Sequence, residues 1–204
     1  MIAGYFARRM RGKMAGRQAK ILTEGQLQAA LRAARATRYP ERDRVMLLLS
    51  AKAGMRAAEI AGLTWAMVLD AGGHIGSQIA LADSIAKKGS GRVIPLHPSL
   101  SQALAKLSRK TNREGHVIKS ERSDRLSPGS VVNWFRAFYA RLGLEGCSSH
   151  SGRRTFITLA ARRVARAGGS IRDVQMLAGH RNLRHTQGYI DGDSRAQRRL
   201  VNLL

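Results

Sequence analysis

Acidic residues are scarce in this chain. Its 204 residues carry 13 Asp and Glu against 36 Lys and Arg, a formal charge of +23 at neutral pH. That excess goes well beyond what solubility requires, argues against cationic partners, and makes a polyanion, best a nucleic acid, the first inference. Charge alone leaves a general RNA- or ribosome-binding protein as open as a DNA-binding one. Cysteine is nearly absent as well: Cys147 stands alone, which excludes an internal disulfide framework or a Cys-rich zinc site within one chain and fits a reducing, cytoplasmic compartment. Cys147 lies three residues before His150, as half of a Cys–His nucleophile would, but a small structural cysteine is the simpler reading. No uninterrupted apolar run approaches the roughly 20 residues that span a bilayer, and no signal-peptide pattern opens the chain, so no membrane partner is expected. The length suits one domain with a sizeable core.

Residues 1–20 contain Arg8, Arg9, Arg11, Lys13, Arg17 and Lys20 with no acid, and read as a mobile basic arm that would repel itself unless it met an anion. A targeting peptide would share the arginines, but this segment lacks serine. Thr23 and Gln26 can form a capping box ahead of Leu27, Ala30, Leu31 and Ala34 at helical spacing. A second helix is expected after Pro40, its apolar run Val45 to Leu49 in the core. Beyond Trp65 the pattern changes to short alternating segments, His74–Leu81 and Arg92–Leu96, joined through Lys87-Lys88-Gly89-Ser90-Gly91. That is the signature of a small antiparallel sheet with a mobile turn.

Helical spacing returns over Pro98–Arg109. Between the polar stretches 110–115 and 119–126 and the next turn, Pro128–Leu142 holds the one aromatic cluster: Trp134, Phe135, Phe138 and Tyr139, with Val131 and Val132. A helix headed by His150 follows, with Phe156, Ile157, Leu159 and Ala160 on its buried side. A short one over Ile171–Leu177 comes next, and residues 193–204 form an apolar terminal helix that requires a groove.

Four groups carry chemistry. His150 and Arg153 lie one helical turn apart, and His180 precedes Tyr189 by nine residues. A guanidinium matches the oxygens of a phosphate and keeps its charge, an imidazole exchanges protons near neutrality, and a phenol can attack phosphorus and hold it covalently. Together they suggest phosphoryl transfer through a phosphotyrosine, with no metal required. Upstream, Arg56 and Glu59 on their own would be an ordinary i,i+3 ion pair worth about 0.2–0.5 kcal/mol.

In the order Arg56, Lys87, His150-x-x-Arg153, His180, Tyr189 the chain resembles the tyrosine recombinases, the phage-integrase-type site-specific recombinases, from Ile21 to the C-terminus. Gly54-Met55-Arg56-Ala57-Ala58-Glu59 is similar to the family's Gly-x-Arg-x-x-Glu box, and Lys87 to Leu96 to its lysine-bearing hairpin. Ala178-Gly179-His180 stands where the family has Leu-Gly-His, a departure that touches packing rather than chemistry.

The resemblance implies a mainly α fold with a small antiparallel β-sheet (α+β): a catalytic domain over residues 21–204 behind a basic arm, 1–20. Many family members carry a separate helical DNA-binding domain there, and the short layout is similar to the fimbrial-switch invertases. It implies cleavage and rejoining of double-stranded DNA through a 3′-phosphotyrosyl link, for integration, excision or inversion. In that scheme Arg56, Arg153 and His180 bind the scissile phosphate, His150 is the general base, Tyr189 the nucleophile and Glu59 a supporting group. The general acid is Lys87, with Lys88 open as the alternative if the register slips by one. Lys88, Arg92, Arg154, Arg181 and Arg184 are expected to contact DNA, and His185 to be a surface contact.

No cofactor or metal is expected, because exchanging phosphodiesters needs no external energy. Further expectations are a homotetramer on paired DNA sites, a monomer or dimer when free, accessory DNA-bending proteins, and residues 193–204 packing in trans or in cis. The setting would be the nucleoid of a bacterium or mobile element. A related regulator that binds DNA without cutting is the alternative.

Overall fold

The structure is a computed structural model, and it describes residues 19–86, 89–189 and 201–202. The basic arm up to residue 18, both candidate lysines and most of the expected terminal helix lie outside the described residues.

The first helix, α1 (Glu24–Ala33), starts as its sequence requires. Thr23 Oγ1 accepts from the Gln26 amide, Gln26 Oε1 accepts from the Thr23 amide, and Leu27, Ala30 and Leu31 are buried. Helix α2 (Pro40–Lys52) has Pro40 at its first position, Glu41 and Asp43 in its first turn and Lys52 in its last, the arrangement that suits the helix dipole. Val45, Met46, Leu47, Leu48 and Leu49 are each at most 1% exposed. Five consecutive buried residues cover every face of a helix, so α2 is wrapped on all sides. It packs against α4 (Pro98–Ser108) and α6 (Ser151–Arg163).

After α2 the chain turns at Gly54, whose φ of +63° is left-handed. A side chain there would be doubly excluded, because a Cβ would lie 2.4 Å from the Phe156 ring. The turn delivers Arg56 to the head of α3 (Ala57–Gly62), which packs on α5 (Pro128–Arg141). The aromatic run on α5 is core as its spacing implied: Val131, Phe135, Phe138 and Tyr139 are buried and Trp134 stacks on Phe138, whereas Val132 faces outward at 39% exposure.

Two strands pair antiparallel, β1 (Gln78–Leu81) with β2 (Arg92–Pro95), Ile79 opposite Ile94 and Leu81 opposite Arg92. The first strand is shorter than the alternation from His74 implied. Asp70 Oδ1 accepts from the Gly72 and His74 amides and folds that stretch into a turn closed by a single Leu69–Ile75 bridge.

The helices α6, α7 (Ile171–Ala178) and α8 (Leu183–Gln187) follow. On α6 only Ile157 of the four expected apolar residues is fully buried, the other three being half-buried. The main core joins α1 to α5 and the sheet. A second, small cluster of Ile157, Val174 and Ala178 lies beneath α6 and α7. The result is the expected mainly helical α+β fold. No helix among the described residues is long and apolar enough to cross a membrane.

Candidate active site

Glu59 sits at the centre of the site's architecture. Its carboxylate is fully buried and accepts four N–H groups: the Arg56 amide at 2.8 Å, Arg56 Nη1 at 2.7 Å, and Arg92 Nη1 and Nη2 at 3.0 Å each. Burial pushes this carboxyl up, but the Arg92 fork and then Arg56 outweigh it and hold the group below its usual range, so it is ionised. Arg56 turns its other nitrogen, Nη2, toward the Gly179 carbonyl at 3.4 Å.

Arg153 enters from the first turn of α6 and is only 4% exposed. It donates to the Gly54 carbonyl and, at 2.7 Å, to the Ala178 carbonyl. Burial, with the neighbouring Arg56 charge, lowers its pKa to about 10, which leaves it protonated at neutral pH. The carbonyls of the Gly54 turn and of the last residue of α7 thus fix a buried guanidinium whose charge they cannot cancel.

His180 follows Gly179, the left-handed residue that ends α7. Its Nε2 lies 3.0 Å from Arg153 Nη2 and its Nδ1 3.0 Å from Thr186 Oγ1. A guanidinium only donates, so Nε2 is the acceptor, Nδ1 carries the proton, and the buried Thr186 hydroxyl accepts it. Burial and the charges of Arg153 and Arg56 lower the His180 pKa to about 4, so the imidazole is neutral at pH 7. The Tyr189 ring stacks on it, centroids 5.8 Å apart and planes inclined by 22°.

These groups open onto one cavity of about 380 Å³ lined by Arg56, His150, Arg153, His180, His185 and Tyr189, with Ser90, Gly179 and Arg181 at its edges. His150 is exposed at the head of α6, its Nδ1 3.4 Å from Ser149 Oγ. Three guanidiniums (Arg56, Arg92, Arg153) against one carboxylate leave net positive charge around the cavity, the chemistry of a site for one anionic tetrahedral group beside a phenol. Among the described residues no group of three or more His, Cys, Asp or Glu is placed to hold a metal ion.

Five of the six residues read as catalytic therefore converge: Arg56, His150, Arg153, His180 and Tyr189. Lys87, like Lys88, lies outside the described residues. Arg181 and Arg184 are exposed beside the site. Two expected DNA contacts point elsewhere. The Arg92 side chain is 6% exposed and its guanidinium is occupied by Glu59 and by the Leu177 carbonyl, 2.8 Å from Nε. Opposite Leu81 and two residues before the buried Ile94, it shares their inward face, a period-two signal present in the sequence. Arg154 donates from Nη1 to the Ala19 carbonyl, 3.1 Å away, and tethers the incoming chain rather than facing outward.

The sequence reading missed Arg92 as the second partner of Glu59 and Thr186 as the acceptor for His180. His185, read as a surface contact, is exposed as expected and also lines the cavity, its ring 6.1 Å from that of His180. No spacing rule marks Thr186 or His185, since both depend on how the short α8 folds back.

The model of the phage integrase family matches residues 20–195. A tyrosine recombinase XerC from Rhodospirillum centenum is 30% identical over 158 residues, which cover 75% of this chain and 43% of that protein. The chain thus spans under half the length of that relative. Among solved structures, the fold matches the XerA recombinase with a TM-score of 0.70 at 22% identity, over 90% of this chain and 64% of that one. It also matches the Tn1549 transposon integrase, in complex with a circular intermediate DNA, with a TM-score of 0.72 at 16% identity, over 91% and 66%.

Proposed function

The chain belongs to the phage integrase family, the tyrosine recombinases, and from that premise we propose that it cleaves and rejoins double-stranded DNA at specific sites through a 3′-phosphotyrosyl intermediate. The observation that carries the reading is the meeting of Arg56, Arg153, His180 and Tyr189, drawn from 134 residues of sequence, around one cavity.

The steps follow from the groups present. A scissile phosphodiester enters the cavity, and Arg56 and Arg153 neutralise its non-bridging oxygens. Where a phosphate oxygen replaces His180 as an acceptor for Arg153 Nη2, Nε2 of His180 is released. The anion offsets the cationic charge that holds this imidazole neutral, which favours a proton on Nε2 and a third donor to the phosphate. Preorganised donors of this kind typically contribute a factor of about 100 or more each.

The Tyr189 oxygen forms its bond to phosphorus while the P–O5′ bond breaks. His150 takes the phenol proton, and Lys87, with Lys88 as the alternative, gives a proton to the departing 5′ oxygen. Each transfer is worth roughly 100- to 10,000-fold. Attack by the 5′ hydroxyl of a partner strand reverses these steps and releases Tyr189, so bond number is conserved and no nucleotide is consumed. Arg181, on the cavity lining, and Arg184, exposed on α8, would contact flanking phosphates. The proposed assembly is a tetramer on two DNA sites, with residues 193–204 exchanged between protomers and DNA-bending proteins as accessories, at the bacterial nucleoid.

The test is to denature cells expressing the protein, recover DNA covalently bound to it, and sequence the junctions. The wild type is expected to yield one recurrent sequence and Tyr189→Phe none, while the variant still binds that sequence in a gel shift. Recovery of equal DNA with both proteins would refute the reading.

A further inference from the structure

Arg92 poses a question the phosphate cradle does not answer. Its head is among the least exposed cationic groups described and is not part of the cavity wall, yet it makes three hydrogen bonds within the site's framework. Glu59 is the reason. It fixes Arg56 through both its backbone amide and Nη1, but a carboxylate this close also cancels the charge that Arg56 presents to an anion. An isolated Arg56–Glu59 pair would be close to neutral at the distance of a bound phosphate. The orienting group would weaken the group it orients.

We propose that Arg92 is a positioning residue for the recombination chemistry: its two-pronged contact supplies the counter-charge to Glu59, so that Glu59 can hold Arg56 rigidly while Arg56 keeps its attraction for the scissile phosphate. The inference rests on the function proposed above. Three features of the fold support it. Arg92 faces inward on β2 because it shares a face with Ile94. Its Nε caps the Leu177 carbonyl in the last turn of α7, where a cation is favoured by the helix dipole. And a Cβ at Gly179 would stand 2.9 Å from Arg92 Nη1, so the residue that admits the guanidinium is the one whose left-handed backbone aims His180. One side chain thereby joins β2, α3 and the α7 terminus.

The experiment separates charge from scaffold. Inorganic phosphate is titrated into the wild type, Arg92→Gln, Arg92→Lys and the double variant Glu59→Gln/Arg92→Gln at pH 7, followed by the His180 ring resonances, with thermal unfolding run in parallel. Removing one unit charge about 10 Å away at an effective dielectric of about 20 predicts phosphate binding weakened about tenfold in Arg92→Gln. Arg92→Lys keeps the charge and stays within about threefold of wild type, as does the double variant, in which both charges are gone. On the DNA sequence recovered as above, the double variant still cleaves slowly, because Arg56 has lost its orienting partner.

Wild-type phosphate affinity in Arg92→Gln would overturn the proposal, as would a double variant no better than the single one. If Arg92→Gln does not fold, Glu59→Gln alone decides: with Arg92 left uncompensated it should bind phosphate about tenfold more tightly than wild type, and unchanged affinity would overturn the proposal. A wild type that captures no DNA would end the recombinase reading, while the phosphate titration would still decide whether Arg92 supplies the counter-charge.

Discussion

The two halves of the site are built to different standards. On one side, Glu59, Arg92 and Arg153 are buried, and their N–H groups reach the Glu59 carboxylate or the carbonyls of Gly54, Leu177 and Ala178. Behind them stands α2 with its fully buried run from Val45 to Leu49. On the other side, Tyr189 follows a five-residue helix, is half-buried, and rests with α6 and α7 on a cluster whose buried members are Ile157, Val174 and Ala178. Met176 in the same region is 62% exposed. The proposed anion cradle thus rests on the densely buried part of the fold, where reorganisation should be expensive, and the proposed nucleophile on a thinly buried part that should open locally at smaller cost. Under the proposed chemistry, in which one phosphate is attacked first by the tyrosine and then by a DNA hydroxyl, a fixed cradle and a displaceable attacker would both be of use.

The sharpest way to break that contrast is to damage the cradle. Arg153→Lys keeps a charge but cannot serve the Gly54 and Ala178 carbonyls and the cavity together. We expect single-turnover cleavage to fall about 100-fold or more, and unfolding free energy to drop by about 1–3 kcal/mol because a buried acceptor goes unpaired. Rapid-quench kinetics and chemical denaturation measure the two. A rate within about tenfold of wild type would mean that the cradle is not the fixed partner.

A milder intervention addresses the other half. Val174→Ala should cost about 1–2 kcal/mol and speed hydrogen exchange in α7 and α8 while leaving α2 unchanged. Leu48→Ala in α2 should cost about 2–5 kcal/mol and lower protection throughout. If Val174→Ala loosened α2 as much as α8, the two regions would be one cooperative unit and the comparison would fail.

How much of the molecule is legible in its sequence follows the same division. The helices α1, α4 and α5 announce themselves because their buried residues recur at helical spacing, α2 shows instead as an unbroken apolar run, and a capping box at Thr23 or a proline at position 40 marks a boundary locally. The proposed catalytic set is readable only through resemblance, since Arg56 and Arg153 are 97 residues apart and no periodicity links them. The illegible parts are those set by long-range geometry. Arg154 lies beside Arg153 in a run of basic residues, and only the path of residues 19–22 along α6 shows that one reaches the Ala19 carbonyl and the other the cavity. Arg92 is the intermediate case. Its period-two signal is present, but a cation next to a Lys-Lys-Gly-Ser-Gly turn reads first as a solvated contact, and the buried carboxylate that claims it lies 33 residues away.

The effect expected to be smallest at neutral pH lies at the seam between the halves, where His180 touches Arg153 on one face and Tyr189 and Thr186 on the others. Its pKa is lowered from 6.5 to about 4 by burial and by Arg153, Arg56, His185 and Arg92. Between those two values the unfolded imidazole binds a proton that the folded one refuses. Stability contributed by the neutral ring is therefore complete above pH 6.5, declines as the solution is acidified, and is gone below about pH 4. His180→Asn should flatten that part of the stability–pH curve, measured by urea denaturation at half-unit steps, with little change at about pH 7.5. Inorganic phosphate should oppose the decline in the wild type, because an anion in the cavity offsets the same guanidiniums and lets the ring take its proton while folded. An unaltered slope in His180→Asn would place the titrating group elsewhere, and an unaltered slope in phosphate would mean that the anion binds outside the reach of this ring.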